Sequence, residues 1–184
     1  MKRAGKEFEK ETRNSLTDTK NIYWGRFFDY NIINASIQTL RGLSKKIGMK
    51  EKYKNYFLIQ PPKQPADFWV VKKGEIYFLE CKKTIHPDAF PFENIKPHQF
   101  ESAFYMHKNE GNYIFLLNKR DSPHNFKCFA VRGIFLWNLK EIEGRKKISW
   151  TELEEQAKEG SNVKELERLK KGRWNIEKIF EIGN

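Results

Sequence analysis

The sequence predicts an α/β protein, built as a single domain over residues 1–184 around a central mixed β-sheet. Segments with helical and strand patterns follow one another in the order α–β–β–β–α–β–β–α, which is typical of a mixed sheet covered by helices. Apolar residues make up 39% of the 184 residues. This apolar fraction is sufficient for one hydrophobic core, because a chain of this length buries roughly two thirds of its surface on folding.

The first helix is predicted over residues 5–16, where Phe8, Thr12 and Leu16 repeat every four residues along one side. A strand is expected over residues 21–29. The later elements are predicted from apolar runs bounded by turn residues: strands 67–72 and 75–82, a helix 97–108 opening at Pro97, strands 113–118 and 127–131, a short helix 133–139, a helix 149–159 with Ser149 or Thr151 as N-cap, and a basic C-terminal tail.

A basic segment over residues 31–66 interrupts this pattern, with seven basic residues and one acid. Glycines and a Pro-Pro pair break it up, so we expect an irregular arm at about residues 31–64. Lysines that pair with phosphates and aromatic rings that stack on bases would make it a DNA-contacting arm; the alternative is a solvated loop with its aromatic residues in the core. The candidate DNA-binding residues, within and beyond the arm, are Arg26, Arg41, Lys45, Lys46, Lys50, Lys52, Lys54, Lys63 and Lys83.

The net charge of +11 indicates a polyanionic partner. Nucleic acid is favoured over an anionic membrane surface, because no strongly amphipathic basic helix stands out; a soluble protein that is simply rich in lysine is the alternative. No apolar run approaches the ~18 residues of a membrane span. The charged N-terminus lacks the apolar stretch of a secretory signal. Cys81 and Cys128 lie in apolar runs, so we expect reduced core cysteines and a cytoplasmic protein.

Two acids and a lysine stand at the ends of the predicted hairpin. If Lys73-Gly74 is a two-residue turn, opposed residues have numbers that sum to 147, so Asp67 faces Glu80. Lys82 follows Glu80 by two residues and shares its sheet face. Both faces of the hairpin are apolar, so we expect it to be buried on both sides. A longer loop would shift this register by one residue.

Two carboxylates face to face repel each other unless a cation lies between them. Mg²⁺ prefers such oxygen ligands, and the carbonyl of Cys81 could add another, while Lys82 could orient or deprotonate an attacking water. The alternative is a plain Glu80–Lys82 ion pair with Asp67 as a cap. Zinc is not expected, because the histidines and cysteines lack the spacing of zinc ligands. No phosphate-binding glycine motif occurs, so no nucleotide cofactor is expected.

Asp67 with Glu80-Cys81-Lys82 resembles the core motif of the PD-(D/E)xK nucleases. Further segments resemble the RecU-type Holliday junction resolvases: GKEFE at residues 5–9, RFFD at 26–29 and FPFENIKPHQ at 90–99. The resemblance implies a restriction-endonuclease-like core in a two-fold homodimer. It also implies an endonuclease that resolves four-way DNA junctions with Mg²⁺, Mn²⁺ being able to substitute.

The resemblance also assigns roles to residues. Asp67 and Glu80 would hold the metal, with Cys81 beside them, and Lys82 would be the catalytic lysine. Gln99 would orient a metal ligand or a water. 

Glu9 would reach the site from the first helix, with Glu7 and Glu11 as competing candidates. The arm at 31–64 takes the place of the stalk of the resolvases but is short, so the resemblance implies nuclease chemistry more firmly than junction selectivity. Two other functions stay open. One is a nuclease of the same core acting on flaps or ends, and the other is a non-catalytic DNA-binding module. No membrane association is expected.

Overall fold

The computed structural model describes residues 2–27, 64–121, 126–170 and 172–182. By its contacts the chain divides into one unit of Met1–Gly25 and Pro65–Asn184, described below, and a second of Arg26–Gln64. The predicted basic arm lies outside the described residues apart from residue 64, so the predictions for its lysines, Arg41 and its aromatic residues stay predictions. The single-domain organisation likewise stays a prediction.

The helices and strands of the described residues alternate much as the sequence predicts. The α-helices are α1 (Lys2–Asp18), α2 (Pro97–Lys108), α3 (Gly133–Trp137) and α4 (Trp150–Glu159). The strands are β1 (Tyr23–Arg26), β2 (Phe68–Lys72), β3 (Glu75–Thr84), β4 (Ala89–Pro91), β5 (Asn112–Arg120), β6 (Phe126–Arg132), β7 (Lys147–Ser149), β8 (Val163–Leu166), β9 (Arg168–Leu169) and β10 (Arg173–Trp174). Short 3₁₀ helices form at Phe92–Asn94 and Ile176–Glu181, and a π-helical turn follows α3 at Asn138–Ile142.

A six-stranded mixed sheet in the order β1-β2-β3-β5-β6-β8 forms the centre, which confirms the predicted α/β architecture. β3 and β5 run parallel, whereas β2 with β3, β5 with β6, and β6 with β8 are antiparallel. The predicted hairpin register is confirmed, with Trp69 opposite Phe78 and Val71 opposite Ile76. Lys73 and Gly74 have φ values of 51° and 86°. Two successive left-handed residues define the tight turn that fixes this register.

Helices cover both faces of the sheet. On one face α1 and the 3₁₀ helix Ile176–Glu181 pack on alternate strand residues such as Leu79 and Leu116 in one continuous apolar cluster. On the other face α2 and α4 cover the central strands, with Phe100 packed against Phe115 and Trp150 stacked on Phe129. The middle residues of β5 and β6 are therefore buried on both faces.

Towards its turn the hairpin is buried on one face only, so the prediction of burial on both sides is wrong for this end, although Glu80 at the other end is buried on the second face. Phe68 and Leu79 are fully buried beneath α1, whereas Ile76 on the opposite face is 43% exposed. The cause is the position of α2, which packs over β5, one strand further into the sheet.

The C-terminal segment is not a basic tail but part of the fold. β8 extends the main sheet, β9 and β10 pair with each other, and Ile176 and Ile179 are buried in the core. These strands are only two to four residues long, too short for an apolar alternation to stand out among charged neighbours. None of the described helices is long and apolar enough to cross a membrane.

Candidate active site

Asp67 lies immediately before β2 and bonds to both neighbours of Glu80. Its backbone N–H donates to the carbonyl of Leu79 at 3.1 Å, and its Oδ2 accepts the backbone N–H of Cys81 at 2.8 Å. The pairing of β2 with β3 ends at Phe68 and Leu79, whereas β3 itself continues to Thr84. Asp67, the residue before β2, extends the contact with β3 through its side chain. The two carboxylate-bearing residues predicted to face each other are therefore neighbours across this strand pair.

Glu80 is a buried carboxylate with two donors on one oxygen. It is 4% exposed. Lys82 Nζ lies 2.8 Å from its Oε1, and Gln99 Nε2 donates to the same atom at 2.6 Å. Lys82 reaches Glu80 because residues two apart on a strand share a face. The structure thus brings together Glu80, Lys82 and Gln99, three of the residues predicted to be catalytic.

The start of α2 sets the orientation of Gln99. Its side-chain Oε1 accepts the backbone N–H of Lys96 at 3.0 Å, at the residue that precedes the helix. An amide oxygen that accepts leaves the amide nitrogen as the donor, so Nε2 must face Glu80 as a donor. Pro97 opens the helix, where a proline suits the first turn because its ring fixes φ and it needs no N–H partner. The sequence FPFENIKPHQ therefore places one amide donor at a buried carboxylate.

On α1 the structure separates Glu9 from its two competitors. Glu7 and Glu11 lie one turn apart and both contact Arg120 of β5, Glu7 at 2.9 Å. Glu11 also accepts from the indole N–H of Trp174 at 3.2 Å. Glu9 lies on a different side of the helix, and its negative charge raises the pKa of Glu80. The charge of Glu9 therefore acts on Glu80, whereas Glu7 and Glu11 both pair with Arg120.

Burial is the main influence on the charge of Glu80 and raises the pKa of its carboxyl above the ordinary value. The hydrogen bonds and charge of Lys82, together with the amide of Gln99, oppose this shift, while the negative charge of Glu9 adds to it. Burial likewise raises the pKa of the Cys81 thiol, and the charges of Asp67, Glu80 and Glu9 raise it further. Three carboxylates therefore act electrostatically on this one point of β3.

The donor chemistry of this cluster fits a divalent cation. Asp67 and Glu80 offer hard carboxylate oxygens, and a cation would relieve the cost of keeping Glu80 ionised while buried near Glu9. Within the described part of the chain, no group of three or more His, Cys, Asp or Glu side chains is placed to hold a metal. The predicted set contains only two such side chains, since Cys81 would contribute its backbone carbonyl. The Cys81 thiol itself points to α1, where it donates to Thr12 at 3.4 Å.

Several predicted residues are not brought to this cluster. Lys83 follows Lys82 on β3 and therefore faces the opposite side of the sheet, where it is half-buried. Arg26 ends β1 and is exposed. The other predicted DNA-binding residues lie outside the described ranges. His86, one of the histidines weighed for zinc, accepts the backbone N–H groups of Asp88 and Ala89 at Nδ1, both at 3.3 Å.

Sequence reasoning missed Arg120 and Tyr113. Arg120 is 8% exposed and also donates to Asn118 at 2.6 Å, which joins α1 to the sheet. Tyr113 donates to the carbonyl of Pro65 at 2.5 Å. The charged residue that ends the apolar run YIFLLNKR was a sequence signal for Arg120. No local signal existed for Tyr113, because its partner Pro65 lies 48 residues away.

A family model described as Recombination protein U matches residues 44–169, more than half of the chain. The chain belongs to the RecU family. The match includes Asp67, Glu80, Lys82 and Gln99 but not Glu9, so α1 lies outside the part of the chain that the RecU family model covers.

Relatives in the RecU family carry the name Holliday junction resolvase RecU. The protein of Bacillus subtilis (strain 168) is 30% identical over 92 residues, which cover 50% of this chain and 44% of the relative. Those of Bacillus cytotoxicus and Bacillus mycoides are each 30% identical over 95 residues, covering 50% of this chain and 48% of the relative. The chain therefore spans about half the length of the curated RecU relatives that it matches.

Proposed function

We propose that this RecU-family protein is a structure-selective endonuclease that resolves four-way DNA junctions by metal-dependent hydrolysis of phosphodiester bonds. The observation that carries the proposal is the buried cluster of Glu80, Lys82 and Gln99 beside Asp67. Membership of the RecU family and the name of its relatives support the choice of substrate. The net charge of +11 suits a polyanion, and a DNA substrate agrees with the cytoplasmic location expected from the sequence.

Each residue of the cluster has a role in the proposed reaction. Asp67 and Glu80 hold a divalent cation, which we propose is Mg²⁺, with Mn²⁺ able to substitute. When bound, this cation supplies Lewis-acid stabilisation of the negative charge that builds on the phosphate. Gln99 fixes the orientation of the Glu80 carboxylate. Glu9 adds negative charge from α1 and so favours a cation at the site.

Lys82 acts on the attacking water and on the phosphate. Its ammonium group is held 2.8 Å from Glu80 Oε1, where it can orient the water and offset charge in the transition state. The water oxygen forms the new P–O bond and gives up a proton to solvent, one bridging P–O bond breaks, and the departing oxygen takes up a proton from solvent. We further propose a two-fold homodimer without a nucleotide cofactor, since a dimer with two-fold symmetry presents two equivalent sites to two strands of a junction.

The substrate is tested by comparing a four-way junction, a flap and a linear duplex in one gel, each with Mg²⁺ and with chelator. We expect paired, symmetric cuts in the junction only when Mg²⁺ is present. Faster cutting of the flap or of duplex ends would replace junction resolution by a nuclease of broader selectivity. Complete absence of nicks on every branched substrate with Mg²⁺ or Mn²⁺ would leave a DNA-binding module.

The catalytic role of Lys82 is tested by Lys82→Ala. We expect cleavage to fall by ~10²-fold or more, because general acid–base and electrostatic groups each contribute factors of this size, while junction binding persists. Lys164→Ala is the matched control, since this lysine lies on β8 at the far edge of the same sheet. Metal-dependent cutting by Lys82→Ala at the rate of the control would reject the assignment.

A further inference from the structure

Tyr113 lies on the same sheet face as the candidate active site. It is near the start of β5, where it pairs in parallel with Phe78, and it is 4% exposed. Its ring packs against Phe115, with centroids 5.1 Å apart, and edge-on against Phe78 at 6.5 Å. Gly133 leaves room for this arrangement, because a side chain there would come within 3.1 Å of the tyrosine ring. The ring is therefore fixed by packing, and its hydroxyl has a defined place.

The hydroxyl of Tyr113 donates to the carbonyl oxygen of Pro65 at 2.5 Å. Proline has no backbone N–H, so this carbonyl is its one polar backbone group. Pro65 stands two residues before Asp67, where the chain enters β2. The hydrogen bond therefore ties the segment that leads into Asp67 to a central strand of the sheet.

Two bonds of Asp67 come from β3. Its N–H donates to Leu79 and its Oδ2 accepts from Cys81, so both partners belong to the same hairpin. These bonds fix Asp67 relative to β3 only if the chain approaches β2 at the correct angle. The hydrogen bond from Tyr113 holds this approach from a different strand, β5.

We propose that Tyr113 is a positioning residue whose hydroxyl, by holding the Pro65 carbonyl, places the Asp67 carboxylate beside Glu80. The metal-binding part of this inference rests on the proposed nuclease function, whereas the placement of Asp67 does not. Burial, together with the negative charges of Glu80 and Asp67, raises the pKa of the Tyr113 hydroxyl above its usual range. The group therefore remains a protonated donor at neutral pH.

Tyr113→Phe tests the inference, because it removes one oxygen and keeps the ring. Tyr77→Phe is the matched control: Tyr77 is also a buried tyrosine of this sheet, and its hydroxyl bonds to Glu75 at the turn end of the hairpin. Amide hydrogen exchange, followed by NMR in the full chain without metal or DNA, reports the result. The amide of Cys81 is the probe, since Asp67 Oδ2 accepts its hydrogen.

We expect the Cys81 amide to exchange about fivefold to tenfold faster in Tyr113→Phe, the factor that corresponds to one net hydrogen bond, and at the wild-type rate in Tyr77→Phe. The amide of Ala130 on β6 should keep its protection in both variants. Equal Cys81 exchange in the two variants would overturn the inference. Faster exchange at Ala130 as well would also overturn it, because the hydroxyl would then support the whole fold rather than Asp67.

Binding of Mn²⁺ by titration calorimetry, without DNA, adds a second readout. We expect Tyr113→Phe to bind Mn²⁺ more weakly by about tenfold, as outer-shell partners of metal ligands typically contribute, and Tyr77→Phe to bind it as the wild type does. If Cys81 exchange changes as expected while wild-type protein binds no Mn²⁺ and cuts no junction, the positioning role holds and the proposed nuclease function fails. The two ideas can therefore fail separately.

Discussion

Replacing Arg120 by methionine is expected to loosen α1 from the sheet. Arg120 ends β5 with 8% exposure, and its guanidinium contacts three groups: Glu7 at 2.9 Å, Glu11, and Asn118 at 2.6 Å. Methionine fills a similar volume but has no donor. The substitution therefore removes the hydrogen bonds and the charge while it keeps most of the packing.

The three partners contribute unequally because their burial differs. The Glu7 side chain is 61% exposed, so this ion pair is worth about 0.2–1 kcal/mol. The Glu11 side chain is only 13% exposed, and removing its cation leaves a nearly buried charge, at a cost of about 3–5 kcal/mol. The bonds share one guanidinium and do not add. We expect Arg120→Met to lower the free energy of unfolding by about 3–5 kcal/mol, which corresponds to a melting temperature lower by about 6–20 °C.

Urea denaturation followed by circular dichroism measures these costs, with Glu7→Gln and Glu11→Gln as companions. The expected order of destabilisation is Arg120→Met, then Glu11→Gln, then Glu7→Gln, with the last at about 1 kcal/mol or less. A Glu7→Gln cost equal to that of Glu11→Gln would refute the reasoning from burial. So would an Arg120→Met variant as stable as the wild type.

Three further predictions concern the site itself. Glu9→Gln should lower the cleavage rate by about tenfold or more, whereas the rate of Glu7→Gln should stay within about twofold of the wild-type rate. A gel assay of one junction under single-turnover conditions measures both rates, and equal effects would disprove the assignment of Glu9. Because burial raises the folded-state pKa of Glu80, the wild type should lose stability as pH rises from the ordinary glutamate value of about 4.3 through that raised pKa, by up to about 1.4 kcal/mol per pH unit. Glu80→Gln should lack this loss, so in urea titrations at several pH values its free energy of unfolding should rise relative to that of the wild type as pH increases. A difference that does not change with pH would contradict this prediction. Gln99→Leu removes a bond that lowers the Glu80 pKa, so the acid limb of its cleavage profile should move to higher pH; an unmoved limb would count against the role of Gln99.

The hairpin and its site could be predicted because both depend on short-range rules. A two-residue turn at Lys73-Gly74 fixes which residues oppose each other, and the period of two then places Glu80 and Lys82 on one face. Gln99 could be predicted from its place at the start of a helix opened by Pro97. In each case the determining residues lie within about 20 positions of one another.

The contacts that were missed join distant parts of the chain. The hydrogen bond from Tyr113 to Pro65 spans 48 residues, and the pairing of Arg120 with Glu11 spans 109. No local periodicity reports such pairs, because their geometry follows from the order of strands in the finished sheet. The C-terminal segment was misread for a related reason, since its short strands are stabilised by β6 and by α1 rather than by their own pattern.

The separation of roles along α1 has a practical consequence for anyone shortening this protein. A fragment cut to residues 44–169 would keep the stretch by which the family is recognised. It would also strip Arg120 of both glutamates and remove Ile176 and Ile179 from the interior. Such a fragment would leave the buried guanidinium of Arg120 with Asn118 but without these two anions, and it would open a cavity in the core. The chain that must be expressed is therefore longer than the region of recognisable similarity.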